Sequence, residues 1–153
     1  MANTIALLDS AGVIRERFGP ASPWLVHVTA GNQLMGTHRD LTAFAKRSPD
    51  YRGWQSHHIV ECHDLVRLNI ATQSPERDDQ LCVLLPAEAH LGRINSILRN
   101  QAPIGGVLSV QALLAAYSDA YATVGDYCGG GERKIRRELL DIVRATFRSF
   151  QLI

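Results

Sequence analysis

Apolar positions along the chain change period several times, and each change marks an element. From residue 4 to residue 17 the spacing of Ile5, Leu8, Val13 and Arg17 predicts a helix, stopped by Gly19-Pro20. Trp24 to Val28 is rich in β-formers and bounded by Pro23 and Gly31, which predicts a short strand or an extended entry. Asp40 to Arg47 reads as a helix ended by Ser48-Pro49, because the residue before a proline is driven out of the helical region. Trp54 to Glu61 reads as a short strand, and Asp64 to Asn69 as one or two helical turns. The polar segment Ala71 to Gln80 is a loop. Leu81 to Leu85 is too short for an independent helix and predicts a buried strand; a helix then begins at Pro86 and runs to Asn100.

Gln101 to Gly106 breaks the pattern with Pro103 and Gly105-Gly106. Beyond it, Val110, Leu113, Leu114, Tyr117, Tyr121 and Val124 share one helical face. Ile135, Leu139, Ile142, Val143, Phe147 and Phe150 share another, and Gly129-Gly130-Gly131 lies between the two helices. An antiparallel helical hairpin follows, with both helices serving as scaffold. The outer face of the last helix sets Arg133, Lys134, Arg136, Arg137, Arg144 and Arg148 against Glu132, Glu138 and Asp141. It reads as a solvated face and as the best candidate for an auxiliary nucleic-acid contact.

Composition adds limits. The 153 residues suit one domain, spanning 1–153, with an N-terminal helical region over 1–48, a central unit over 54–100 and the hairpin over 107–150. No apolar run is long enough to span a bilayer, and the N-terminus lacks the basic and apolar regions of a signal peptide. Cys62, Cys82 and Cys128 are odd in number and show no C-x-x-C spacing, which argues against a disulfide framework or a thiolate zinc site. The formal charge of +1 gives no broad basic face, although 14 of the 16 basic residues are arginine, since lysine occurs only at Lys46 and Lys134. Arginine's planar fork suits phosphate and surface ion pairs alike.

The chemistry concentrates in histidines. On the helix after Pro86, His90 shares a face with Ile94 and Ile97, so it points towards whatever the helix covers. His57 and His58 are consecutive on a strand, and consecutive strand residues face opposite ways. They therefore divide labour: one imidazole binds a metal ion, and its neighbour reaches the substrate side as a general base. Glu61, His63 and Asp64, just past the strand, are placed to orient an imidazole, with a plain polar turn as the competing reading. Arg93 lies about 60° from His90 around a regular helix and is a candidate phosphate clamp; Arg67, Arg99 and Arg52 are weaker ones. His27 and His38 have no partner pattern and are assigned to structure.

Ser56-His57-His58-Ile59-Val60-Glu61, followed by Leu81-Cys82-Val83-Leu84-Leu85-Pro86 and His90, resembles the HNH/endonuclease VII superfamily. More narrowly, it resembles bacterial polymorphic-toxin branches whose signature is a small residue before His-His. The resemblance covers Trp54 to Asn100, roughly a third of the chain. It implies an α+β, helix-rich fold around a ββα-metal finger, with His57 and His90 as metal ligands and His58 as general base. Two positions depart from the pattern. The usual asparagine opening the second strand falls near Leu81, so that Asp79 or Gln80 would serve as ligand, and Ile94 stands where a second helix histidine sometimes occurs. A sparsely ligated site completed by water and phosphate, with magnesium or manganese favoured over zinc, is the expectation. The resemblance further implies cleavage of DNA, with RNA as the other substrate, by an antibacterial effector toxin. Such a toxin is delivered by a secretion system into the target-cell cytoplasm without a cleavable signal peptide, and is neutralised by a cognate immunity protein.

Rival readings stand beside it. A metalloprotease lacks support because neither H-E-x-x-H nor H-x-x-E-H occurs. A non-catalytic, zinc-stabilised module for binding nucleic acid or protein would draw Cys62 and Cys82 into a closed site with His57 and His90. An interaction domain whose histidines merely pack is the third.

Overall fold

The computed structural model describes residues 2–18, 25–68, 80–102, 108–122 and 132–153. Their architecture is α+β and helix-rich. Five strands, β1 (Ile14–Phe18), β2 (Val26–Thr29), β3 (Leu34–Thr37), β4 (Trp54–His58) and β5 (Leu81–Pro86), form one antiparallel sheet in the order β1-β2-β3-β5-β4. The helices are α1 (Ala2–Ser10), α2 (His38–Arg47), α3 (Cys62–Arg67), α4, α5 (Val110–Tyr121) and α6 (Glu132–Ser149). A 3-10 turn at Pro49–Tyr51 follows α2. Helix α4 is π-helical over Glu88–Ile94 and continues as α-helix over Asn95–Gln101.

Several expectations give way here. The helix anticipated to residue 17 stops at Ser10 because Gly12 adopts φ +71 and closes a Schellman motif, with Val13 N–H on Leu8 O and Gly12 N–H on Asp9 O. The chain then reverses into β1, whose Arg15, Glu16 and Arg17 are exposed, as suits the sheet's edge. Strand β3 has no counterpart in the periodicity reading, yet all four of its residues are buried in the middle of the sheet. It follows a turn at Asn32, a non-glycine residue at φ 64. The carboxylate of Glu138 on α6 fastens that turn by accepting from Gly31 N–H at 2.8 Å and from the Thr29 hydroxyl. Gly36 in β3 is required by space, since a Cβ there would sit 2.9 Å from the Leu25 carbonyl oxygen. Pro86, expected to open a helix, instead ends β5 opposite Trp54.

Both faces of the sheet are covered. Met35, Val83 and Leu85 meet α1, α4, α5 and α6 in the larger core, which includes Leu8, Ile94, Leu113, Tyr117, Tyr121, Ile142 and Phe147. Val26, Val28, Leu34, Cys82 and Leu84 meet Leu41 and Phe44 of α2, together with Tyr51 and Trp54, in the smaller one. Helix α2 begins at His38 under a Thr37 cap whose hydroxyl accepts from Asp40 N–H at 3.0 Å. Of the expected inner positions of α5 and α6, Leu113, Tyr117, Tyr121, Leu139, Ile142, Val143 and Phe147 are buried, and Val110, Leu114 and Phe150 are partly buried against the same core; Val124 and the side chain of Ile135 lie outside the described residues. On the outer face of α6, Arg137, Arg144 and Arg148 are exposed, whereas Arg136 turns inward to Ser118. No helix among the described residues is long and apolar enough to cross a membrane.

Candidate metal centre

Strand β4 runs along the sheet's other edge, antiparallel to β5, with His57 opposite Val83 and His58 opposite Cys82. Pleating sends Gln55 and His57 to the face covered by α4 and α5, and Ser56 and His58 to the α2 face. The chain turns directly from Pro86 into helix at Ala87, which brings α4 back across the first of these faces. His90 in its π turn reaches His57, with ring centroids 4.8 Å apart. The π turn also changes the spacing around α4: Ile94 is fully buried, while Leu91 and Arg93 are exposed. Such turns recur at functional sites because they displace one residue from the regular ladder.

His57, His90 and Glu61 each offer one ligand atom, and these atoms lie within 4.8 Å of one another. The surrounding hydrogen bonds select which atoms. Tyr121 donates its hydroxyl to Ile59 O at 3.0 Å, so the same oxygen accepts from Nε2–H of His57 at 3.0 Å. That leaves Nδ1 of His57 as the lone pair, buried, without a hydrogen-bond partner and 3.5 Å from Glu61 Oε1. His90 Nδ1 pairs with Gln55 Oε1 at 3.0 Å, which makes Nδ1 the donor and leaves Nε2 as the lone pair. In the neutral form that burial favours, each ring thus presents its second nitrogen inward.

The proton affinities agree with this arrangement. His57 lies well below the usual histidine range, chiefly because its full burial penalises the cation, with His90 and then His58 adding repulsion. His90 is lowered by burial and by the charge of His58. A cluster that rejects protons at neutral pH keeps its lone pairs available.

Two tyrosines four residues apart on α5 brace the segment from His57 to Glu61. Tyr121 holds His57, while the Tyr117 hydroxyl accepts from Glu61 N–H at 2.8 Å and donates to Asp64 Oδ2 at 3.1 Å. Asp64 is buried, and burial raises its carboxyl above the ordinary range against the opposing pull of His63, Tyr117 and Arg67. Helix α5 is therefore more than the apolar scaffold its periodicity suggests. A tyrosine in an apolar stripe contributes the same periodic signal as a leucine, so the hydroxyl's partner was not legible.

The remaining sequence candidates disperse. Asp79 lies outside the described residues, and Gln80 is half-buried before β5. Glu61, anticipated as an orienting group, brings its own carboxylate to the cluster. His63 is exposed, its Nε2 3.4 Å from Asp64 Oδ1, so its partner is a carboxylate rather than an imidazole of the site. Arg67, a candidate for substrate, is turned inward: its Nη1 donates to Asp64 Oδ1 at 3.3 Å and to Ala102 O at 3.1 Å, tying α3 to the end of α4. Buried ion pairing of this kind consumes the fork that phosphate would need. Cys82 belongs to the core on the α2 face, with its thiol 3.5 Å from Gln80 O, so it stands across the sheet from the cluster.

His58 lies on that same α2 face, stacked on His38 with centroids 5.6 Å apart and planes 12° from parallel. His38, assigned to structure on sequence, lines a groove of about 610 Å3 whose walls also include Gln55, Ser56 and His90. Lys46, Arg47 and Arg52 line it, and among the described lining residues none is acidic. Comparisons with protein-family models, with curated proteins and with solved structures find no match to this chain.

Proposed function

We propose that this protein is a metal-dependent endonuclease that hydrolyses phosphodiester bonds of nucleic acid, with β4, β5 and α4 acting as a ββα-metal clasp. The observation that carries the reading is the convergence of His57, Glu61 and His90 on one point, with the unpartnered Nδ1 of His57 aimed at it. A buried polar atom without a partner costs about 1–3 kcal/mol, and a divalent ion between the two rings and the Glu61 carboxylate would supply that partner.

A divalent ion held by these three groups would supply Lewis-acid polarisation of a phosphoryl oxygen and stabilise the leaving oxygen. Two imidazoles and one carboxylate form a donor set that ranks zinc or manganese ahead of magnesium. His57 and His90 hold the donor geometry, and Tyr121 and Gln55 keep each ring in the tautomer that presents a lone pair. His58 takes the proton from the attacking water at a ring nitrogen as the new P–O bond forms and the old one breaks. Lys46 and Arg52 steer the phosphate backbone along the groove.

The resemblance of Ser56-His57-His58 to polymorphic toxins extends the proposal to an antibacterial effector that acts in the target-cell cytoplasm and is countered by an immunity protein. The decisive assay is cleavage of supercoiled plasmid, single-stranded DNA and RNA with zinc, manganese, magnesium or EDTA. Metal-dependent nicking that His58→Ala removes and Cys82→Ser retains supports the reading. Inertness towards every substrate under every metal would sink it.

A further inference from the structure

The groove beside the imidazoles has a shape that selects among nucleic acids. It opens along the edge of β4, which pairs only with β5 among the described residues. Its volume, about 610 Å3, falls in the range of about 300–1,000 Å3 that encloses small organic ligands. Tyr51 and Trp54 form part of its lining, half-buried and braced edge-to-face at 5.1 Å, with Phe44 behind Tyr51 at 5.4 Å. Around these rings stand Lys46, Arg47 and Arg52, all exposed.

Double-stranded DNA keeps its bases stacked inside and presents grooves that admit a projecting helix or ribbon. A concave pocket with aromatic walls and a cationic rim has the opposite shape. It suits a strand whose unpaired bases swing out to stack on side chains while its phosphates follow the cations. The aromatic trio is already packed against the smaller core, so stacking costs little additional ordering.

We propose that the groove is a binding site for unpaired nucleotides, making the substrate single-stranded nucleic acid or an opened stretch of a duplex. This rests on the nuclease reading for its biological meaning, yet it is tested without cleavage. Fluorescence anisotropy in EDTA, with the full chain, compares labelled oligothymidylate, oligouridylate and a blunt duplex. In a Trp24→Phe background Trp54 is the sole tryptophan, since the chain has two, and stacking quenches it. The expected result is at least about tenfold tighter binding of single strands than of duplex, with Trp54 quenching and a loss of about tenfold in Trp54→Ala. Arg52→Ala should flatten the salt dependence, whereas Trp54→Ala should leave its slope unchanged. If Trp54→Ala loses its fold by circular dichroism, Tyr51→Ala and the quenching titration carry the test. The two oligonucleotides separate DNA from RNA.

Duplex bound as tightly as single strand, or binding without quenching, would overturn the proposal while leaving the nuclease reading standing. Tight single-strand binding by a chain that cleaves nothing would do the reverse. Failure of every oligonucleotide to bind would also overturn it, and would leave the β4 edge to a peptide that adds as a strand.

Discussion

His57 and His58 are joined by one peptide bond but belong to different environments. His57 is fully buried beneath α4 and α5, hydrogen-bonded to Tyr121 and facing His90. His58 is half-buried on the opposite face, stacked on His38, which lines the cation-rich groove. A strand's alternation is enough to assign adjacent identical side chains to unlike tasks. One sits where burial penalises its charge; the other is only half-buried beside His38. The two faces also differ in support. The His57 face is braced by hydrogen bonds from 56 and 64 residues away, whereas the His58 face is built by helix α2 and the turn after it.

The largest expected effect falls on the buried face. On the proposed reading His57→Ala removes a ligand, and it leaves Tyr121 without its donor, so metal binding and cleavage should both vanish. Calorimetric titration with zinc and manganese checks this, and undiminished metal affinity would break the assignment. Next, His58→Ala should lower cleavage about 10²–10⁴-fold while metal affinity stays within error, because the proposed role of general base acts only on the reaction. Should metal affinity fall in parallel, the two faces are not functionally separate.

Tyr121→Phe isolates the bracing. Removing one hydroxyl frees the His57 ring and strands its Nε2–H, so metal affinity should fall about 10–100-fold and stability by about 1–3 kcal/mol. Urea denaturation beside a metal titration reads both quantities. Loss of stability with unchanged affinity would reduce Tyr121 to packing.

The smallest effect is the pH dependence. His57 and His90 have lowered proton affinity, so metal affinity should be level at neutral pH and decline only below the ordinary histidine value of 6.5. Stability without metal follows the same sign. Between 6.5 and the depressed folded-state values, the unfolded chain binds protons that the folded chain refuses, so stability falls as pH falls. His27, also lowered by burial, adds to this trend, whereas Asp64, raised by burial, works against it nearer the carboxylate range. Urea midpoints at several pH values measure the slope, and a flat profile from neutral down to mildly acidic pH would contradict the burial of neutral imidazole.

Much of the architecture was legible in the chain. Binary patterning marked α2, β4, β5, α5 and α6, because each buries one face or both and its residues repeat with the period of its own backbone. The same logic isolated His57, His58 and His90, and strand alternation alone required the first two to part. What stayed hidden depends on contacts between distant segments. Strands β1 and β3, which flank β2 in the sheet, are short, and β3 is buried by neighbours rather than by any alternation of its own. Only the folded sheet places β3 against β5 and thereby brings His38 to His58. Only packing decides that Tyr117 and Tyr121 aim their hydroxyls at Glu61 and His57, that Glu61 supplies a carboxylate, and that Arg67 is spent on Asp64. Periodicity records which face of an element is turned inward; it carries no information about which partner waits there.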